Sequence, residues 1–142
     1  MIFGRKKRQI VRLLVVEDEP LVAFDVEHLL GDAGYEVVAT VDSLADAAKV
    51  IEEQALDLVL SDISLSGEGD GTDVARAAAA RGVPVLFVTG ACPPEAQSLA
   101  LGCLAKPYSD KMLKSALDAI DKTLQGKPPR KLPSGLSLYE QA

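Results

Sequence analysis

Five side chains in this sequence could do chemistry if the fold brought them together: Glu17, Asp18, Asp62, Thr89 and Lys106. Each follows a short apolar run. Glu17 and Asp18 come after residues 10–16, Asp62 after 56–60 and Ser61, Thr89 after 83–88, and Lys106 after 103–105. Gathered carboxylates are hard oxygen donors and hold Mg2+ with several retained waters. Without a cation they repel one another, and their pKa values rise. A carboxylate is also a nucleophile that can form an acyl phosphate. A divalent ion beside it neutralises phosphoryl oxygens, an ammonium adds a point charge for phosphate, and a hydroxyl can donate to the new phosphoryl group. The set suits reversible phosphorylation of Asp62. Taken singly, each residue has a plainer role: Asp62 a cap, Glu17 and Asp18 a solvated turn, Thr89 a turn, Lys106 a surface cation. Their shared place at the ends of apolar runs favours the joint reading, while Glu19 remains a helix-start acid.

Placing these residues together requires a particular arrangement of elements. Residues 10–16 form a nearly continuous β-branched and leucine run, the pattern of a strand buried on both faces. Pro20 suits a first helical turn. Val22, Val26, Leu29, Leu30 and Ala33 then recur at helical spacing until Gly31 and Gly34 end the helix. Further strands are expected at 35–41, 56–60, 83–88 and 103–105. Helices are expected from the Ser43 cap, over 72–81, from Pro93-Pro94 to about residue 101, and from Ser109 to Leu124. Alternation of this kind implies a parallel sheet with helices on both faces, because parallel strands need crossovers. The fold class is α/β, a flavodoxin-like (βα)5 doubly wound parallel sheet in the order 2-1-3-4-5. In such sheets ligands bind beyond the carboxyl ends of the strands, where all five residues fall.

Composition bounds the class. The chain has 142 residues, 48% of them hydrophobic, with 15 Lys and Arg against 21 Asp and Glu, a net charge of −6. Cations crowd the ends, with Arg5, Lys6, Lys7, Arg8 and Arg12 before the body and Lys127, Arg130 and Lys131 after it. The acidic body argues against DNA binding by this domain. No apolar run reaches the roughly 18 residues of a membrane span. The division expected is a basic N-terminal extension at 1–9, a domain at 10–125 and a basic, Pro-containing tail at 126–142. Cys92 and Cys103, with His28 the single histidine, argue against a zinc site or a disulfide framework. They are expected as free thiols in a cytoplasmic protein.

With these motifs in order, the sequence resembles the receiver domain of bacterial two-component response regulators over residues 10–125. The resemblance rests on Val15-Val16-Glu17-Asp18-Glu19-Pro20, Leu60-Ser61-Asp62, Phe87-Val88-Thr89-Gly90 and Lys106-Pro107. It implies Asp62 as phosphoacceptor and Glu17, Asp18 and Asp62 as Mg2+ ligands, with the backbone carbonyl of Ser64. It also implies Thr89 as switch hydroxyl, Lys106 as phosphate contact, and a cis Lys106–Pro107 bond. The run from Val83 to Gly90, with Asp70-Gly71 upstream, is similar to the stand-alone subgroup nicknamed FAT GUY, often found in stress-response phosphorelays. Val88 and Ala91 depart from that subgroup's pattern. Receivers usually carry an aromatic residue three positions before the lysine as the rotameric partner of the switch hydroxyl; here that position is Cys103, which departs from the usual aromatic-swing switch.

The function implied is that of a single-domain response regulator. A sensor histidine kinase or a histidine phosphotransfer protein would phosphorylate it on Asp62. Output would be contact with a downstream protein or onward phosphotransfer. The chain would be no enzyme beyond catalysing its own phosphorylation and dephosphorylation. A phosphatase of the haloacid dehalogenase kind also uses an Asp nucleophile, but it requires a second Asp at the position of Ser64. The remaining alternative is a phosphorylation-independent receiver-like interaction module.

Overall fold

Strand alternation sorts the apolar residues onto two faces, and that sorting builds the molecule. The computed structural model describes residues 8–127 and 132–139. Its elements run β1 (Arg12–Val16), α1 (Pro20–Asp32), β2 (Glu36–Val41), α2 (Leu44–Glu53), β3 (Leu58–Ser61) and α3 (Gly71–Ala79). They continue with β4 (Val85–Thr89), α4 (Ala96–Leu99), β5 (Gly102–Ala105), α5 (Asp110–Leu124) and β6 (Leu136–Leu138). The sheet order is β2-β1-β3-β4-β5-β6, parallel from β2 to β5, with β6 antiparallel to β5.

Side chains alternate across a strand with period two. Leu13, Val15, Leu58, Leu60, Leu86, Val88 and Leu104 therefore share one face, where Val26 and Leu30 of α1 and Leu113, Leu117 and Ile120 of α5 cover them. Leu14, Val16, Val59, Val85, Phe87 and Cys103 point the other way, onto Ala47 and Ile51 of α2, Val74, Ala75 and Ala78 of α3, and Ala96 of α4. Each fully buried Leu, Ile or Phe contributes about 1.5–3 kcal/mol over its exposed state.

Local chemistry sets the helix ends. Pro20 occupies the first turn of α1. Ser43 accepts from Asp46 N–H at 3.2 Å, and Ser109 from Met112 N–H at 3.1 Å. Gly126, at φ 77°, follows α5 in a conformation that costs other residues strain. The Lys106–Pro107 bond is cis. At the opposite end of the sheet, the buried Asp121 of α5 accepts the N–H groups of Gln9 and Ile10, both at 2.8 Å, and so anchors the entry to β1. Arg8 donates to the carbonyls of Ala33 and Gly34 and stacks over Tyr35 at 4.0 Å. The other cations expected in the N-terminal extension, and Arg130 and Lys131, lie outside the described residues.

Two features correct or extend the sequence reading. The cysteines are not free thiols: Cys92 and Cys103 form a disulfide. The chain leaves β4, folds over the sheet through the short α4 and returns as the neighbouring strand β5, which puts residues eleven apart in sequence side by side. The bridge also removes the argument from free thiols for a reducing compartment. The second feature is β6, where sequence reading expected only extended tail. It covers the outer edge of β5, burying Leu136 against the α1–α5 face. No helix among the described residues is long and apolar enough to cross a membrane.

Candidate functional site

The carboxyl ends of β1, β3, β4 and β5 meet at one edge of the sheet. Backbone hydrogen bonds set the spacing there. Asp62 N–H donates to Val16 carbonyl at 2.9 Å, Glu17 N–H to Val41 carbonyl at 2.9 Å, and Lys106 N–H to Thr89 carbonyl at 2.8 Å. Because these bonds continue the ladders past the strand ends, the residue after each strand is held as firmly as the strand itself.

The side chains converge as their chemistry suggests. Carboxylate oxygens of Glu17, Asp18 and Asp62 lie within 4.8 Å of one another. Glu17 and Asp62 are buried, at 6% and 8% exposure. The Lys106 ammonium donates to Asp62 Oδ2 at 2.7 Å and to Glu17 Oε1 at 2.9 Å. The remaining oxygens are also engaged. Asp62 Oδ1 accepts Ile63 N–H at 2.6 Å and Ser64 N–H at 3.3 Å, and Glu17 Oε2 accepts Glu19 N–H at 3.1 Å.

Burial pushes the Glu17 carboxyl above its ordinary range, against the pull of Lys106 and the Glu19 N–H. For Lys106, burial favours the neutral amine, but hydrogen bonds to Asp62 and Glu17 outweigh it and hold the ammonium well above its ordinary pKa. The lysine ammonium therefore sits beside the clustered acidic groups of Glu17, Asp18 and Asp62. That donor set of clustered oxygens, deficient in positive charge, fits a hard divalent cation, with Glu17, Asp18 and Asp62 as holders.

Thr89 is buried at the end of β4, and its carbonyl is tied to Lys106 N–H. Its hydroxyl makes no hydrogen bond to Asp62 or Lys106 among the described residues. Ser64 meets Asp62 through its N–H, while the rest of the residue is exposed.

Sequence reasoning passed over two neighbours. Gly71 opens α3 against the backbone of Asp62 and Ile63, where the chain leaves β3. A Cβ there would overlap the Asp62 carbonyl oxygen and stand 2.8 Å from Ile63 Cα. Its signal was Asp70-Gly71 directly before a helix. Tyr108, half-buried after the cis proline, lines a groove of about 430 Å3 with Val22, Val26 and Leu29 of α1, and with Lys106 and Pro107. Leu21 and Phe24 stand exposed on the same helix, with His28 against Phe24.

Comparison with known proteins agrees with this geometry. The family described as "Response regulator receiver domain" matches residues 13–118. The chain is 34% identical over 79 residues to the phyllosphere-induced regulator PhyR of Methylorubrum extorquens, covering 54% of this chain and 30% of that protein. It is 32% identical to SdrG from Sphingomonas melonis Fr1, covering 79% of this chain and 97% of that one at a TM-score of 0.66. The receiver domain of a Pseudomonas aeruginosa PAO1 sensor histidine kinase, described with a magnesium ion coordinated in its active-site cleft, is 27% identical. That match covers 76% of this chain and 94% of the other at a TM-score of 0.67. The chain is also 28% identical over 113 residues to the transcriptional regulatory protein PdtaR of Mycobacterium tuberculosis, covering 75% of this chain, and it spans only 30% of the length of PhyR and 55% of that of PdtaR.

Proposed function

The chain belongs to the response regulator receiver domain family of two-component signalling, and from that premise we propose that it is a phosphoacceptor switch whose phosphorylated residue is Asp62. The observation that carries the reading is Lys106 bridging Asp62 Oδ2 and Glu17 Oε1 beside Asp18. A Mg2+ ion held by Glu17, Asp18 and Asp62, with the Ser64 carbonyl as a further ligand, would neutralise charge on an incoming phosphoryl group. The protein's own residues do the rest. The Asp62 carboxylate attacks phosphorus, its orientation fixed by the Ile63 and Ser64 N–H groups. Lys106 pairs with the developing negative charge. The Thr89 hydroxyl, one strand away, donates to the phosphoryl oxygen once it is in place.

The phosphodonor is a histidine kinase or a histidine phosphotransfer protein, from which the phosphoryl group must pass to a buried carboxylate. The groove between α1 and Tyr108 lies beside that carboxylate, and Leu21 and Phe24 offer apolar anchors for a helix of the donor. Output is contact with a downstream protein or onward phosphotransfer, in the cytoplasm. The likeness of the run from Val83 to Gly90 to the FAT GUY subgroup is what supports a place in a stress-response phosphorelay.

The test is incubation of wild type and Asp62→Ala with a small phosphodonor and Mg2+. A base-labile phosphoryl adduct is expected in wild type alone. An equal adduct in both proteins overturns the reading. No adduct under any donor leaves the phosphorylation-independent interaction module as the better account.

A further inference from the structure

We propose that the Cys92–Cys103 disulfide is a redox modification site that governs whether the segment after β4 can respond to phosphorylation. The inference rests on the phosphoacceptor reading of Asp62 and adds a second, chemically separate input to it.

The two sulfurs sit in unlike places. Cys103 is fully buried in the middle of β5, opposite Phe87 of β4 and Ser137 of β6. Cys92 is exposed, three residues past Thr89. The ladders to β4 and β6 already fix β5, so a crosslink is not needed to place it. The constraint falls on the other partner. Residues 93–95 give their carbonyls to the turn that becomes α4, and among the described residues no backbone hydrogen bond joins 91–95 to the sheet. α4 has four residues, and its buried member is Ala96. The disulfide is thus the covalent tie between the sheet and the segment that must follow Thr89 when its hydroxyl turns toward a phosphoryl group. With the bond closed, that segment keeps one arrangement; with two thiols, it can take a second.

Exchange with a dithiol reductant accomplishes the change. A thiolate of the dithiol attacks the sulfur of Cys92, the exposed residue of the pair, forming a mixed disulfide and expelling the Cys103 thiolate, which takes up a proton. The second thiol of the reductant, as thiolate, then attacks its own sulfur in the mixed disulfide and releases Cys92, also protonated. Two electrons and two protons pass from the dithiol to the protein, and the reductant leaves as a disulfide. The reverse needs a disulfide oxidant of the same class. Exposed disulfides are the ones open to such exchange.

The experiment uses the full chain, oxidised and dithiothreitol-reduced, together with Cys92→Ser and Cys103→Ala. Hydrogen exchange of segment 90–101 is followed with and without beryllofluoride and Mg2+, and adduct formation from a small phosphodonor is measured in parallel. The oxidised protein should weigh two hydrogens less, resist maleimide labelling, and show the same slow exchange with or without beryllofluoride. Reduction, and either variant in any redox state, should raise exchange by about tenfold and make it responsive to beryllofluoride. An Asp62 adduct in both redox states with identical exchange overturns the redox inference and leaves the receiver reading standing. Maleimide labelling of both cysteines without reductant overturns it as well. Absence of an adduct in both states overturns both.

Discussion

Replacing Gly71 by alanine tests whether the α3 terminus is built against Asp62, the proposed phosphoacceptor. On propensity alone the change should help. Gly71 has no positive φ, it opens a helix, and alanine at a compatible position usually stabilises by about 0.4–1 kcal/mol. The structure reverses that sign. The added Cβ would stand 2.8 Å from Ile63 Cα and closer still to the Asp62 carbonyl oxygen, and both obstacles are backbone. Carbon atoms are at ease at about 3.5–4.0 Å, so the two segments must part by about 1 Å. Overpacking of this kind costs about 1–3 kcal/mol. Separation also stretches the 2.7 Å bond from Gly71 N–H to Ile63 carbonyl, and it moves the backbone whose N–H groups orient Asp62. A misplacement of about 1 Å can cost on the order of a hundredfold in rate. Urea denaturation should place Gly71→Ala below wild type, and phosphorylation by a small donor should slow by ten- to a hundredfold. Gly31→Ala is the control, since a Cβ there meets nothing within 4 Å. It should gain about 0.5–1 kcal/mol and phosphorylate normally. Gly71→Ala at or above wild-type stability with an unchanged rate would refute the argument.

Two further predictions concern carboxylates outside the Glu17–Asp18–Asp62 cluster. Asp121→Ala strands the N–H groups of Gln9 and Ile10, the latter buried, and should cost about 1–3 kcal/mol in urea denaturation while leaving phosphorylation of the folded protein intact. Asp70 caps α3: it accepts the Thr72 hydroxyl and the N–H groups of Thr72 and Asp73, while Asp73 returns a bond to Asp70 N–H. The hydrogen bond from the Thr72 hydroxyl, with help from those N–H groups and Arg76 and against some burial, holds the Asp70 carboxyl below its ordinary range. Its contribution is therefore present above the unfolded pKa of about 3.9 and lost as pH falls through the lower folded value. Asp70→Ala should cost about 1 kcal/mol at neutral pH, with the gap to wild type closing in acid; a gap independent of pH counts against the charged cap.

The parts of this protein that were legible in its sequence are those decided by short-range periodicity. Leu13 and Val15 against Leu14 and Val16 alternate by two, and that alone assigns them to opposite cores. The four motifs at strand ends pointed to one edge because a parallel sheet leaves no other place for them. What was missed depends on contacts distant along the chain. Leu136–Leu138 is a strand because β5 would otherwise have a bare edge, and three residues centred on Ser137 carry no such signal by themselves. Cys92 and Cys103 pair because α4 is short. The helix spans only Ala96–Leu99, because Ala100 turns extended and the Leu101 N–H goes to the Val85 carbonyl of β4. The helix expected to reach about residue 101 therefore ends at Leu99.

The unexpected strand also narrows how the switch can be read. In a five-stranded sheet of this order β5 is an edge, open to a partner that adds a strand of its own. Here β6 fills that edge, pairing Gly102 with Leu138 and Leu104 with Leu136. Gly102 permits the close fit, since a Cβ at that position would lie 2.5 Å from the Ser137 carbonyl oxygen. A partner that meets this side of the molecule therefore reads side chains of α4, α5 and the β4–α4 segment, not the backbone of β5. Of these, the segment carrying Cys92 is the one that adjoins Thr89, so under the proposed function and the proposed redox site a change at Asp62 and a change at the disulfide would arrive at the same few residues.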